Sequence, residues 1–236
     1  MSNTTHTFIT EPTKDIIVTL LQEILELYKK GCDHWEPDRK ILNRVREHYR
    51  SYQGQINEQS IYNSLSQIVA EDNTPAHINL QAFLTRWGFG TIPDIKKAFQ
   101  LFHHSAVLGD PVAQSELGYF YNNELGITRN REMAHKWYSQ SAKQGYPLGQ
   151  SNLAYWYLCG GNKVAAGEKS NGKKAVYWYL KAADAGLASA EARLGLLFQK
   201  GIGTMKDKHE ALRYYRKAVV QKNENARIGL EWMMMH

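Results

Sequence analysis

A phrase of eight residues recurs in the second half of the chain and constrains its fold more than any other feature. It reads FHHSAVLG, YSQSAKQG and YLKAADAG, ending at Gly109, Gly145 and Gly186, with spacings of 36 and 41 residues. A weaker copy, YRKAVVQK, follows at 215–222. A period of this length is typical of proteins built from stacked units that each contact only their neighbours. The sequence therefore predicts a repeat architecture.

Both halves of each unit have helical periodicity. In one second half, Ala134, Trp137, Tyr138 and Ala142 fall at i, i+3, i+4 and i+8, which is one face of a helix. The first halves align without gaps as VAQSELGYFY, LGQSNLAYWY and SAEARLGLLF, while AHINLQAFLT and NENARIGLEW match more weakly. We therefore predict an all-α protein, an α/α solenoid in which helix pairs form a right-handed superhelix.

The order A-x-x-x-L-G-x-x-Y, then G-x-G, then K-A-x-x-W-Y-x-K-A-A-x-x-G resembles the Sel-1-like repeat, a relative of the tetratricopeptide repeat. One unit carries Ala113, Leu117, Gly118, Tyr121, Gly126, Ala134, Trp137, Tyr138, Ala142 and Gly145. The resemblance covers 75–236, with units at 75–110, 111–146, 147–187 and 188–222 and a final half unit at 223–236. It implies a scaffold or adaptor in signalling that binds a protein or peptide partner.

The N-terminal third lacks the repeated phrase. We expect a loose tail over 1–12 and a helical cap over 13–74, with helices at 14–30, 37–52 and 57–70, because the end of a repeat array needs its apolar face covered. The layout from LNRV to IYNSLSQ is similar to that of fungal Sel-1-like repeat proteins. At the other end, Trp232 and Met233–Met235 could plug the last unit, form a dimer contact, or mark where a longer array was cut.

Composition restricts the expected cellular location and the kinds of binding partner. The start of the chain lacks a signal-peptide pattern, and no apolar stretch approaches the roughly 20 residues of a membrane-spanning helix. Cys32 and Cys159 lie far apart in the sequence, so we do not expect a disulfide framework. Because disulfides are typical of oxidising compartments, we expect a cytoplasmic location instead. Residues 163–236 hold 14 Lys and Arg against 7 Asp and Glu. A basic nucleic-acid-binding surface is therefore kept as an alternative, although no base-reading motif accompanies the charge.

One loop could carry chemistry. Within 159–175, Gly167 to Lys173 satisfies G-x-x-x-x-G-K, and Ser170 and Lys173 have S-x-x-K spacing. The Ser or Thr that would hold magnesium is replaced by Lys174, and the companion motifs of serine β-lactamases are absent. An enzyme or nucleotide-binding protein that uses this loop is the alternative function. We predict instead no catalytic residue, no cofactor, no metal site and no enzymatic activity.

An outward-facing row is the candidate partner-binding site. If Leu117, Leu153 and Leu194 are core, positions two residues later lie about 200° round the helix and face outward. This places Phe83, Tyr119, Tyr155 and Leu196 in one row, next to Glu116, Asn122, Asn123, Asn152 and Arg193. Such a row on the first helix of each pair suits an extended peptide. The alternative is that flanking helices or the N-terminal cap cover it.

Overall fold

A computed structural model describes residues 58–159 and 171–235, together with three isolated helical positions, Thr19, Gln22 and Asn43. The described residues form ten helices and no strand: α1 (Glu58–Asp72), α2 (Pro75–Trp87), α3 (Ile95–Val107), α4 (Pro111–Asn123), α5 (Arg131–Lys143), α6 (Pro147–Leu158), α7 (Gly172–Asp184), α8 (Ala188–Lys200), α9 (Lys208–Val220) and α10 (Glu224–Met235). The expected tail over 1–12 and the first two cap helices lie outside the described residues, whereas α1 corresponds to the third.

The helices pair in chain order. We call the first helix of each pair A and the second B, so that α2, α4, α6, α8 and α10 are A helices and α3, α5, α7 and α9 are B helices. Each A helix contacts its own B helix, and each B helix contacts the next A helix. Two of the four neighbouring A-helix pairs, α4 with α6 and α8 with α10, contact each other more than any two successive B helices do. The stack therefore curves with its B helices outside, and the all-α solenoid prediction is confirmed.

Small and large side chains alternate where the two helices of a pair meet. Each B helix buries an alanine near its start with 0% of its surface exposed, at Ala98, Ala134, Ala175 and Ala211. Four residues later each carries a buried aromatic ring, at Phe102, Tyr138, Tyr179 and Tyr215. A β-carbon at Gly118 would lie 2.5 Å from Cδ1 of Tyr138. The glycine of the Leu-Gly signature on the A helix is thus the place where the aromatic ring of the B helix packs.

The connections from A to B helices share one hydrogen-bonding frame. The backbone N–H of the residue before each B helix donates to a carbonyl near the end of the A helix, from Asp94 to Thr85, Asn130 to Tyr121, Asn171 to Tyr157 and Asp207 to Phe198, at 2.9–3.2 Å. The side chains of those Asp and Asn residues also cap the B helices. All four B helices therefore begin at the same edge of the stack, including α7 after the long insertion.

The last A helix, α10, has no B helix packed on it among the described residues. Met233 is 5% exposed and packs with Ala226 against α8 and α9. Trp232, Met234 and Met235 are exposed. Of the four residues considered as a plug, Met233 alone is buried in the last unit. No described helix combines the length and the apolar composition that crossing a bilayer would require.

Candidate partner-binding surface

The first member of the outward row does not face outward. Phe83 on α2 is 1% exposed and belongs to a core cluster with Ile61, Tyr62 and Leu65 of α1. The prediction that Phe83 is accessible was wrong, because α1 packs over the position that stays open in later units. At this end of the stack, the alternative prediction is therefore correct: a helix of the N-terminal cap covers the row.

The later members of the row are accessible to different degrees. Tyr155 on α6 is 46% exposed, in agreement with its predicted direction, whereas Tyr119 and Leu196 are half-buried. Leu117, Leu153 and Leu194 are at most 1% exposed, which confirms them as core.

Arg193 of α8 reaches across to the exposed tyrosine. Its guanidinium lies 5.7 Å from the centroid of the Tyr155 ring, in the range of a cation–π contact. A hydrogen bond with Cys159 raises the pKa of the Tyr155 hydroxyl, which therefore stays neutral. Arg193 forms no ion pair with any carboxylate in the part of the chain that the structure describes. Tyr155 and Arg193 therefore offer an aromatic face and an uncompensated positive charge side by side.

Glu116 is not an accessible binding residue either. Its side chain is 7% exposed, and its carboxylate accepts a hydrogen bond from Arg86 Nη1 at 2.9 Å. The Arg86 guanidinium also lies 5.2–5.6 Å from the ring centroids of Trp87, Tyr119 and Phe120. The prediction that Glu116 is accessible on this face was wrong, because it is buried and pairs with an arginine from the preceding A helix.

The amide side chains predicted for the site have varied environments. Asn152 Nδ2 donates to Ser115 Oγ of the neighbouring A helix at 3.1 Å and is half-buried. Asn123 is exposed, but its amide donates to the Tyr119 carbonyl of its own helix at 2.9 Å. Asn122 is half-buried. Among the amides, Asn152 thus links α4 to α6 beside Tyr155.

The A-helix face therefore has a closed end and an open end. At the closed end, α1 covers Phe83 and the Arg86–Glu116 pair is internally satisfied. At the open end, Tyr155, Arg193 and Asn152 remain available. Sequence reasoning missed Arg86. The equivalent position in the next unit is Asn122, so the repeat pattern does not predict an arginine there.

A second aromatic cluster lies where the inserted loop rejoins the stack. The His135 ring centroid lies 4.4 Å from that of Trp156, and its Nε2 is 3.2 Å from the Tyr157 hydroxyl. Burial, followed by the positive charges of Lys174 and Lys143, lowers the pKa of His135. Residues 160–170, which contain most of the proposed nucleotide or enzymatic loop, lie outside the described residues. Within the described ranges, no three His, Cys, Asp or Glu side chains are grouped as a metal site.

We expect His135 to make stability depend on pH. Because its pKa in the folded protein is below the ordinary histidine value of about 6.5, the unfolded chain binds a proton more readily. The free energy of unfolding should therefore fall as pH drops below about 6.5. The stability difference between wild type and His135→Gln should shrink between neutral pH and about pH 5, measured by urea unfolding.

The control is His209→Gln, a change at an exposed position on α9. A constant stability difference between wild type and His135→Gln over the whole pH range would contradict the assignment to His135.

Solved structures share this architecture. The Sel1 repeat protein from Oxalobacter formigenes is 29% identical, with a TM-score of 0.61 over 78% of this chain and 72% of that one. The protective antigen c5321 of uropathogenic Escherichia coli, described as having an SLR fold, is 20% identical with a TM-score of 0.66. It covers 92% of this chain and 51% of that one. The second likeness concerns the fold alone.

The proteins that this chain resembles in sequence include fungal regulators, which are much longer than this chain. Chitin synthase regulatory factor 3 of Schizosaccharomyces pombe is 34% identical over 147 residues, 62% of this chain and 15% of that protein. Chitin synthase regulator SKT5 of Saccharomyces cerevisiae is 31% identical over 138 residues, 57% of this chain and 19% of that protein. This chain thus spans less than a fifth of the length of either relative.

The repeat units themselves identify the family. The Sel1 repeat matches four consecutive stretches, 83–110, 111–146, 147–187 and 188–219, which together make up more than half of the chain. These stretches contain the described A and B helices from Phe83 to Val219 and their capped connections. The chain therefore belongs to the Sel1 repeat family.

Proposed function

We propose that this chain is a regulatory adaptor that binds a segment of a protein partner along the open end of its A-helix face. The observation that carries the proposal is the exposed Tyr155 ring beside the unpaired guanidinium of Arg193. Tyrosine and arginine are enriched among the residues that dominate binding energy at protein interfaces. The regulators named among the relatives support an adaptor rather than an enzyme, so the proposal includes no catalytic step.

The names of the relatives also suggest the kind of partner. Two fungal relatives are a chitin synthase regulatory factor and a chitin synthase regulator. We therefore take chitin synthase, or a protein that acts with it, as the first candidate partner. Binding in the cytoplasm and a role in signalling are parts of the same proposal.

The proposed site is a short strip across three A helices. Tyr155 supplies a rigid aromatic surface, which loses little conformational entropy on binding. Arg193 supplies donors for a carboxylate or a main-chain carbonyl of the partner. Asn152, fixed by its bond to Ser115, and half-buried Tyr119 extend the strip towards α4. Phe83 and Glu116 have no direct role, because both are buried.

The test compares two pairs of substitutions with the same chemistry on opposite faces. The site variant is Tyr155→Ala/Arg193→Ala. The control is Tyr177→Ala/Lys181→Ala on α7, where Lys181 Nζ lies 5.3 Å from the centroid of the Tyr177 ring and Tyr177 is 53% exposed. Recovery of chitin synthase from a lysate of the source organism on immobilised protein should fall about tenfold or more for the site variant only.

Direct binding to soluble segments of chitin synthase, measured by calorimetry, separates this partner from other proteins in the lysate. Equal recovery with the site variant and the control would place the contact elsewhere on the chain. If wild-type protein bound neither chitin synthase nor any other lysate protein above background, the adaptor function itself would be contradicted.

A further inference from the structure

Charge is divided between the two classes of helix. The four B helices carry twelve Lys and Arg against three Asp and Glu, a formal charge of +9. The five A helices carry four of each, a formal charge of zero. Because the B helices form the outer side of the curve, the positive charge lies on the face opposite the proposed partner site.

These cations are accessible and mostly uncompensated. Eleven of the twelve are exposed, including Lys136, Lys181 and Lys217. Of the eleven exposed cations, Arg213 alone pairs with a described carboxylate, that of Glu210. The face is broad and convex, since it is built from four helices stacked side by side. Such a face presents a diffuse positive field rather than a cleft for one extended chain.

Two apolar side chains project at the edge of this face. Ile92 is 84% exposed and Met205 is 86% exposed, and they occupy equivalent positions in the first and fourth A–B connections. Each lies just before a capped B-helix start, with lysines at Lys96 and Lys206 close by in sequence. The second and fourth A–B connections each lie against the start of the preceding B helix. A β-carbon at Gly126 would lie 2.8 Å from Ile95 of the preceding unit, and one at Gly203 would lie 2.1 Å from the Gly172 carbonyl.

We propose that the B-helix face, defined as the outer surface of α3, α5, α7 and α9 with the tips Ile92 and Met205, docks on an anionic lipid bilayer. Clustered Lys and Arg are attracted to the negative surface potential of such a membrane. Exposed apolar tips next to the cations can enter the interface between headgroups and acyl chains. The proposed partner of this face is thus a membrane surface, with negatively charged headgroups outside and an apolar layer beneath.

Two other occupants fit these observations less well. Single-stranded nucleic acid is held by successive aromatic side chains that stack on bases. The B helices expose a single Phe, Tyr or Trp ring, that of Tyr177, whereas Tyr138, Tyr179, Tyr214 and Tyr215 are buried. An acidic peptide would bind in a groove rather than on a convex face. Neither occupant accounts for apolar tips projecting beside the cations.

The experiment measures co-sedimentation of the purified chain with two kinds of vesicle. One is phosphatidylcholine alone, and the other contains roughly one part in five of phosphatidylserine. Wild-type protein should bind the anionic vesicles at about 0.1 M salt and bind phosphatidylcholine vesicles weakly. Raising salt to about 0.5 M should remove most of the binding.

Two matched variants with the same charge change locate the face. Lys181→Gln/Lys217→Gln on the B helices should weaken binding to anionic vesicles about tenfold or more. Lys200→Gln/Arg227→Gln on the A helices α8 and α10 should leave it unchanged. The uncharged Ile92→Ser/Met205→Ser should lose the fraction that persists at high salt. Far-UV circular dichroism checks that each variant keeps its helix content.

Several results would overturn the proposal. These are equal binding of wild type to both kinds of vesicle, or equal losses in the B-helix variant and the A-helix variant. Tight binding to a labelled oligouridylate together with no vesicle binding would assign the face to nucleic acid instead.

Discussion

The Gly203→Ala variant is expected to lose about 3–5 kcal/mol of stability, although the substitution adds a single methyl group. Gly203 has a φ of +74°, a region that disfavours any residue with a β-carbon. That carbon would also lie 2.1 Å from the carbonyl carbon and oxygen of Gly172. The strain of the conformation and the steric clash therefore add up at one position.

The clash is costly because both partners are backbone. The fourth A–B connection crosses the start of α7, and a β-carbon at Gly172 would in turn lie 2.7 Å from Gly203 Cα. The start of α7 is held by the Asn171 side chain, which accepts a hydrogen bond from the Lys174 N–H at 3.1 Å. Relief of the clash would separate two neighbouring units, and stability in a solenoid depends on that interface.

Two other glycines separate the two contributions. Gly145→Ala has a comparable φ of +85° with no atom within 4 Å of the new carbon, so it should cost about 1 kcal/mol. Gly126→Ala should fall between, because its carbon meets the Ile95 side chain, which is 43% exposed and free to move. Thermal unfolding should rank the variants, with Gly203→Ala about 10 °C below wild type. Equal shifts for Gly203→Ala and Gly145→Ala would contradict the inter-unit clash.

The repeated phrases were sufficient to predict the helices from α2 onward. Their periodicity places Ala134 and Tyr138 on one face, and the structure buries both. The same phase correctly predicts Leu117, Leu153 and Leu194 as core and Tyr155 as exposed. This succeeds because every unit packs against near-copies of itself, so that one unit's pattern contains most of the information about its neighbours.

The errors occur where a unit meets something that is not a copy. Phe83 occupies the same register as Tyr155, but α1 lies outside the repeat pattern and covers it. Glu116 fits the outward face, but Arg86 neutralises it from a position that is asparagine in the next unit. Periodicity predicts direction, whereas accessibility also depends on which neighbouring side chain is long and charged enough to reach across.

Sorting charges by helix class, rather than by position along the chain, separates the two faces. The excess of basic residues at 163–236 is one part of a surplus shared by all four B helices. A stack with a neutral inner face and a cationic outer face can engage two partners without competition between them. The two proposals are therefore independent, and the two control variants on opposite faces test each one separately.

Removing the carboxylate of Glu116 is expected to destabilise the fold more than removing both members of its ion pair. Glu116→Leu leaves the Arg86 guanidinium, which is 13% exposed, without its counter-charge. The loss should be about 3–5 kcal/mol, because an unpaired charge then remains buried. In Arg86→Met/Glu116→Leu no charge remains to be desolvated, and apolar side chains of similar length fill the space. Its stability should return to within about 1 kcal/mol of wild type.

Urea unfolding of the two single variants and the double variant gives the coupling energy of the pair directly. A double variant as unstable as the sum of its single variants would contradict this expectation. It would show instead that the contacts of Arg86 with Trp87, Tyr119 and Phe120 contribute most of the stability. If the double variant is stable and recovers the partner as wild type does, the closed end of the A-helix face acts as a structural seal. In that case, partner binding depends on the Tyr155 end alone.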